Sequence, residues 1–116
     1  MREVLLDLNK EVGVKGSMIL TRDGVVVASE IAPPLVSDQV AAIASSSIKR
    51  INASLREIEA KDFMRFMFSS TYGKMIFTET GDAYLVVVLD KHINIDFTML
   101  AVTSAARKIR NLGSLA

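Results

Sequence analysis

Hydrophobic residues follow two different periods along the chain, and the changes of period divide it into eight elements. Near the N-terminus the apolar residues recur at helical spacing, and Gly13 can end this first helix. The residues of its predicted inward face are Val4, Leu5, Leu8 and Val12. Two apolar runs, 17–21 and 25–29, then flank an Arg-Asp-Gly turn in which Gly24 can take positive φ. The pattern predicts a β-hairpin.

A long helix is predicted after the Ala-Pro-Pro stretch at 32–34, since proline cannot donate to a sheet ladder. Ser37 is the predicted N-cap, and Asp38 is favourable in the positive first turn. The helix runs for about 20 residues, hence roughly 30 Å. One inward stripe is predicted, formed by Val40, Ala44, Ile48, Ile51, Leu55 and Ile58.

Three strands and a final helix are predicted in the second half. Segments 62–70 and 74–80 read as strands joined by a Thr-Tyr-Gly turn. Segment 83–90 is apolar on both faces, which is typical of a central strand covered on both sides. Asn94 is predicted to cap the last helix and Gly113 to end it, with Arg107, Lys108 and Arg110 near its C-terminus. Its predicted inward residues are Phe97, Leu100, Ala101, Ala105, Ile109 and Leu112.

The element order is therefore α-β-β-α-β-β-β-α. A sheet with a doubly apolar strand needs helices on both faces. We expect one domain, residues 1–116, of the α/β class: a three-layer α-β-α sandwich around a five-stranded, mostly antiparallel sheet. One helix should cover one side and the two terminal helices the other.

Composition excludes several kinds of site. Half of the 116 residues are apolar and 23% are charged, with a net charge of +1. This balance argues against a dedicated nucleic-acid or membrane-surface protein. The absence of cysteine and the single histidine exclude disulfides, thiolate sites and multi-histidine metal sites. No apolar run reaches the ~18 residues of a membrane span, and the N-terminus carries acids unlike a signal peptide. We expect a cytoplasmic protein without membrane insertion, nucleic acid, metal or cofactor.

Catalytic patterns are also missing from the sequence. No G-x-x-x-x-G-K-[ST] phosphate loop occurs, because Gly73 and Lys74 are followed by Met75. Gly13 and Gly16 read as turn residues. His92 is predicted to be exposed or capping, with no nucleophile in its local sequence, and the carboxylates form no convincing acid–base pair. We therefore predict no catalytic residues and a regulatory or scaffold protein.

Segments 13–29, 37–59 and 73–90 together carry a resemblance to a known family. The first reads Gly-x-x-Gly, apolar strand, Asp-Gly, then a strand ending in small residues; the second is the long helix with its alanines and serines; the third is a strand hairpin. In this order they resemble the Roadblock family (the dynein light-chain roadblock type of domain) over nearly the whole chain. The length is similar to that of stand-alone prokaryotic members.

The resemblance implies a fold and a task. In the family, the five strands form one sheet with the long second helix on one face. Two copies pair through that helix and the strand after it, so that the sheets join. The implied task is binding of small Ras-like GTPases, as activator, scaffold or assembly subunit. The residues themselves show no GTPase-binding chemistry.

The predicted homodimer interface combines this implication with the helical phase. Small residues opposite the inward stripe allow another helix to approach closely, whereas the alternative is an ordinary wet surface. Segment 62–70 carries large apolar groups on both pleat faces, so we expect it to pair at an exposed edge; the alternative is burial under a helix of the same subunit. The predicted interface residues are Ala42, Ser45, Ser46, Lys49, Ala53, Phe63, Arg65 and Met67.

Basic residues on and after the long helix form a candidate GTPase-facing patch: Lys49, Arg50, Arg56 and Lys61. Such a patch can steer an acidic partner; the alternative is a solvated helix face on which Glu57 and Glu59 are interspersed. An arginine acting on a bound nucleotide must protrude or move. Arg22, Arg50, Arg56 and Arg65 all remain candidates.

Three functions stay open at this point. The first is a homodimeric regulator of a small Ras-like GTPase, with a GTPase-activating protein as one form of it. The second is a non-catalytic scaffold that binds a GTPase or another protein without altering turnover. The third is a small-molecule sensor, which fold alone cannot decide.

Overall fold

The computed structural model describes the backbone of residues 1–115 and the side chains of residues 1–113. Eight elements occur in the predicted order: α1 (Arg2–Asn9), β1 (Val14–Thr21), β2 (Val26–Ile31), α2 (Ser37–Glu57), β3 (Arg65–Ser70), β4 (Gly73–Glu79), β5 (Ala83–Leu89) and α3 (Ile95–Leu115). The predicted α/β fold class is confirmed.

The five strands form one antiparallel sheet in the order β2-β1-β5-β4-β3. β5 lies at the centre, and six of its seven residues are buried, as its apolar sequence predicts. A two-residue turn at 71–72 joins β3 to β4 and fixes their register, with Arg65 opposite Thr78 and Ser70 opposite Gly73. The strands at the two edges are β2 and β3.

Two hydrophobic cores lie on opposite faces of the sheet, because successive strand residues point to opposite sides. α2 covers one face, and its core includes Met18, Ala44, Ile48, Phe77, Tyr84 and Val86. The terminal helices α1 and α3 cover the other, and that core includes Leu5, Ile19, Ile76, Leu85, Val102 and Ile109. The prediction that one helix covers one face of the sheet and the two terminal helices cover the other is confirmed.

The predicted inward faces of the helices are only partly correct. Val12 is 90% exposed because α1 ends at Asn9, and Ile58 is exposed because α2 ends at Glu57. In α3, Phe97 and Leu100 are 77% and 71% exposed, and Leu112 is also exposed. The buried residues of α3 are Thr98, Val102, Ala105, Ala106 and Ile109. The sheet-facing side of α3 thus combines small side chains with Val102 and Ile109, while Phe97 and Leu100 point outward.

The ends of the long helices also differ from prediction. Val36, with extended backbone, precedes the first helical residue of α2 and occupies the cap position. Ser37 is already helical, and its hydroxyl pairs with the Ser29 hydroxyl of β2 at 2.8 Å. α3 continues past Gly113 to Leu115. The predicted cap at Asn94 is confirmed, since its Oδ1 accepts a hydrogen bond from the Asp96 amide at 3.2 Å.

The first and last described side chains lie near one another. Met1 and Gly113 line the same cavity of about 310 Å³, beside the turn from β4 to β5. Across the residues that the structure describes, none of the helices combines the length and apolar character that a membrane crossing requires.

Candidate functional site

The outer face of α2 is built from small side chains. Ala42, Ser46 and Ala53 are exposed, as the helical phase predicts. Ile43 is 50% exposed on the same helix. Ile43 was not among the predicted interface residues. An apolar residue outside the inward stripe of the helix was the sequence signal that could have indicated it. The outer face of α2 therefore carries small side chains and is partly apolar.

The two flanks of α2 have different neighbours. A Cβ placed on Gly24, in the turn between β1 and β2, would overlap the Ser45 hydroxyl and would lie 3.6 Å from Lys49 Cε. Ser45 and Lys49 thus lie beside that turn. Ile43 instead lines a cavity with Phe68 and Tyr72 of the β3–β4 hairpin. The predicted interface residues of α2 are therefore divided between the outer face and the flank far from β3.

The cavity beside Ile43 has a volume of about 420 Å³ and opens between the start of α2 and the β3–β4 hairpin. Its walls are mainly apolar and include Val36, Val40, Phe68, Tyr72 and Met75. Both Val36 and Tyr72 are exposed. The apolar surface of α2 thus continues onto the hairpin that carries the edge strand.

β3 presents different residues on its two faces. Phe66 and Phe68 pack against the core beneath α2. Arg65 lies on the α3 side, where its Nη2 donates to Thr103 Oγ1 at 3.0 Å, and Met67 shares that face by alternation. Among the described residues, no strand pairs with the outer edge of β3. That edge is a free row of backbone donors and acceptors.

Phe63, just before β3, is buried in the α2-side core. Its ring stacks on Tyr84 with a centroid distance of 4.7 Å. For this residue the structure shows burial within the same subunit.

An ionic cluster holds the connection between α2 and β3. Arg22 Nη1 donates to Asp62 Oδ2 at 3.0 Å, and Arg56 donates to both carboxylate oxygens at 3.0 and 2.9 Å. Arg22 also donates to the Gly81 carbonyl at 2.9 Å. Asp62 thus fixes two of the predicted functional arginines in place.

A buried polar cluster continues inward from Arg22. The Tyr84 hydroxyl accepts hydrogen bonds from Arg22 at 3.1 Å and from Asn52 Nδ2 at 3.2 Å. It donates to the Phe63 carbonyl at 2.9 Å, while Asn52 Oδ1 accepts from the Phe63 amide at 2.9 Å. These bonds fix the entry of the chain into β3.

The model of the Roadblock/LC7 domain matches residues 1–89 of this chain. The chain belongs to the Roadblock/LC7 family. Two uncharacterized proteins of Methanocaldococcus jannaschii are each 33% identical to it over 107 residues, which cover 92% of this chain and 94% of each of theirs.

Solved structures share the fold of this Roadblock/LC7 chain. Myxococcus xanthus MglB has a TM-score of 0.88 at 14% identity, covering 99% of this chain and 95% of its own. A structure described as MglB with tetrameric arrangement has a TM-score of 0.81 at 23% identity, covering 94% and 84%. Acanthamoeba castellanii profilin IB has a TM-score of 0.68 at 17% identity, covering 97% and 98%.

The four candidate GTPase-facing residues of this Roadblock/LC7 chain are all exposed but do not form one patch. Lys49 and Arg56 are seven residues apart and so share a flank of α2, whereas Arg50 is turned by about 100° from Lys49. Lys61 lies in the connection after the helix. Within the described part of the chain, Arg50 makes no hydrogen bond or ion pair. Among the four candidate arginines it alone is unrestrained there.

His92 lies in an exposed turn between β5 and α3. Its backbone amide donates to Asp90 Oδ1 at 3.2 Å. This hydrogen bond stabilises the carboxylate and lowers the pKa of Asp90 below its ordinary value of 3.8. The Asp90 side chain thus stabilises the turn by accepting a hydrogen bond from its backbone.

Proposed function

We propose that this chain is a homodimeric regulator of a small Ras-like GTPase. The observation that carries the proposal is the open edge of β3 beside the small, partly apolar face of α2. Membership in the Roadblock/LC7 family supports it. So does the tetrameric arrangement described for one MglB structure, since it gives a precedent for self-association on this fold.

The proposed dimer joins two copies through β3 and α2. Pairing of two β3 edges satisfies backbone groups that face water in the single chain. In α2 we assign the contact to Ala42, Ile43, Ser46 and Ala53. Their small side chains permit close helix packing, and Ile43 supplies apolar area. Met67 contributes from the other face of β3, whereas Phe63 is too deeply buried to contribute.

The GTPase-facing surface is assigned to the exposed basic residues around α2. We assign it first to Arg50 and Lys61, because Arg56 is paired with Asp62 and Lys49 lies beside the β1–β2 turn. If an arginine of this chain reaches a bound nucleotide, we assign that role to Arg50, since a guanidinium must be unrestrained to do so.

GTP hydrolysis by a candidate GTPase, measured with and without this chain, tests the activator role. We expect acceleration by the wild-type chain and a loss of about tenfold or more with Arg50→Ala, if Arg50 stabilises charge in the transition state. Arg107→Ala, on the opposite side of the sheet, is the matched control and should accelerate like the wild type. A chain that neither binds nor accelerates any candidate Ras-like GTPase would contradict the proposal.

A scaffold role is the second candidate, and a specific observation favours it. Three of the four candidate arginines (Arg22, Arg56 and Arg65) are hydrogen-bonded within the subunit. A scaffold would co-elute with the GTPase while the hydrolysis rate stays unchanged. The same two measurements therefore separate the two roles.

A further inference from the structure

A second groove lies on the face of the sheet opposite α2. It runs between the β3–β4 hairpin and α3 and has a volume of about 450 Å³. Met64, Arg65, Thr78 and Glu79 form one side, and α3 contributes Thr103, Ala106, Arg107 and Arg110. The four helix residues follow the spacing of a single helical face. The small side chain of Ala106 leaves the base of the groove open.

Positive charge dominates this groove. Three guanidinium groups, from Arg65, Arg107 and Arg110, line it together with the single carboxylate of Glu79. Arg110 Nη2 donates to Glu79 Oε1 at 2.8 Å, and Arg65 reaches across to Thr103. Arg107 is exposed and makes no hydrogen bond or ion pair within the described side chains. The groove therefore carries an excess charge of two guanidinium groups, with Arg65 and Arg110 held by hydrogen bonds and Arg107 unpaired among the described residues.

Thr78 supplies an independent observation at the base of the groove. It lies directly opposite Arg65 in the β3–β4 register and is only 7% exposed. Its hydroxyl finds no hydrogen-bond partner among the described residues. Leaving a buried hydroxyl unpaired costs free energy, so such a group in a native structure needs a partner, either an ordered water or a bound ligand. Thr78 lines the groove, but its oxygen is covered by the protein, so the side chain must rotate before a group in the groove reaches it.

We propose that this groove binds the phosphoryl group of a small ligand, either free inorganic phosphate or a phosphate monoester. The planar guanidinium groups of Arg65 and Arg107 donate paired hydrogen bonds to phosphate oxygens, and the Thr78 hydroxyl donates a further one from below after its side chain rotates toward the groove. Glu79 holds Arg110 in position at one end. The site uses the α3 face and does not depend on α2, so it stands or falls separately from the GTPase proposal.

NMR titration of the full chain at low ionic strength tests the site and separates the two sources of phosphate. The probes are inorganic phosphate, AMP as the monoester, and adenosine as the uncharged control. We expect saturable shifts of the Thr78, Thr103 and Arg107 amides with phosphate or AMP, none with adenosine, and weakening by salt. Tighter binding of AMP would identify a monoester as the ligand. Absence of saturable shifts with both anions would overturn the proposal.

Substitutions test which groups hold the ligand. Arg107→Gln and Thr78→Val should each weaken binding by roughly tenfold, the effect of losing one good hydrogen bond to a charged group. Arg2→Gln is the matched control, because Arg2 bonds Glu30 of β2 at the sheet edge opposite β3, and it should bind with wild-type affinity. Thr78→Val preserves shape and strand preference, and circular dichroism would establish that it folds. Equal affinity in Arg107→Gln, Arg2→Gln and the wild type would refute the assignment.

Discussion

Arg22 and Asp62 are separated by 40 residues in sequence, yet the guanidinium and carboxylate meet at 3.0 Å. Arg22 follows β1 at the hairpin turn, and Asp62 lies in the connection from α2 to β3. Because Arg56 binds the same carboxylate, one aspartate ties together the turn, the helix end and the connection to the edge strand. This contact determines how β3 is held next to α2.

Replacing this carboxylate should loosen the connection. The Asp62 side chain is 19% exposed, so its pairs fall between surface and buried ion pairs. We expect Asp62→Asn to lower the free energy of unfolding by about 1–2 kcal/mol, measured by urea denaturation. The exposed pair of Lys10 and Asp7 provides the control: Lys10→Gln should change stability little. Equal effects of the two substitutions would contradict the structural role given to Asp62.

The Tyr84 hydroxyl should stabilise the fold through three hydrogen bonds. Tyr84→Phe leaves Asn52 Nδ2 and the Phe63 carbonyl oxygen without the hydroxyl that they share, while Asn52 Oδ1 keeps its bond to the Phe63 amide. We expect a loss of about 1–3 kcal/mol in the free energy of unfolding. Tyr72→Phe is the matched control because Tyr72 is exposed in the β3–β4 turn, and its thermal midpoint should be unchanged. A tolerant Tyr84→Phe variant would show that these bonds contribute little net stability.

The proposed dimer makes Ser46 a sensitive position. Ser46→Glu should raise the dimer dissociation constant by about tenfold or more, because two carboxylates would meet at a twofold contact. Sedimentation velocity at micromolar concentration, with circular dichroism to check folding, provides the measurement. Ser104→Glu introduces the same change on exposed α3 and should leave self-association intact. Wild-type chains that sediment as monomers, or a Ser46→Glu dimer as tight as wild type, would argue against this interface.

Asp90 should contribute a pH-dependent term to stability. The His92 backbone amide lowers the pKa of the folded-state carboxyl below 3.8, while the unfolded chain keeps the ordinary pKa. The stabilisation is therefore complete above about pH 4 to 5 and is lost as pH falls through the folded-state pKa. A carboxyl NMR titration should give a midpoint below 3.8. A midpoint at or above that value would refute the assignment.

Element order and layering were predictable because they follow from hydrophobic period, which is a local property. The sequence of β5 is apolar on both faces, which predicts a central strand. Because both faces must be covered by helices, it also predicts the third layer. The rotation of α3 was not predictable in the same way. Both of its faces carry apolar residues, and only packing against the sheet determines which of them are buried.

The polar contacts around the site could not be predicted from sequence. Asn52, Phe63 and Tyr84 lie on a helix, a connection and a strand, and no local motif links them. No local motif links Arg22 to Asp62 either. Asp62 binds both Arg22 and Arg56, so two arginines that the sequence left as candidates for a partner are held within the subunit. Thr78 carried no signal either, because threonine is ordinary in a strand.

The cavity shared by Met1 and Gly113 has a practical consequence for engineering. A short linker could join the two positions, and new ends could be opened in the exposed turn at 71–72. Such a circular permutant would keep the spatial order of the five strands, would cut the turn between β3 and β4, and would place its new ends next to the edge strand β3. Any fusion partner attached there would obstruct that edge directly, whereas the same partner attached near Met1 would leave it clear.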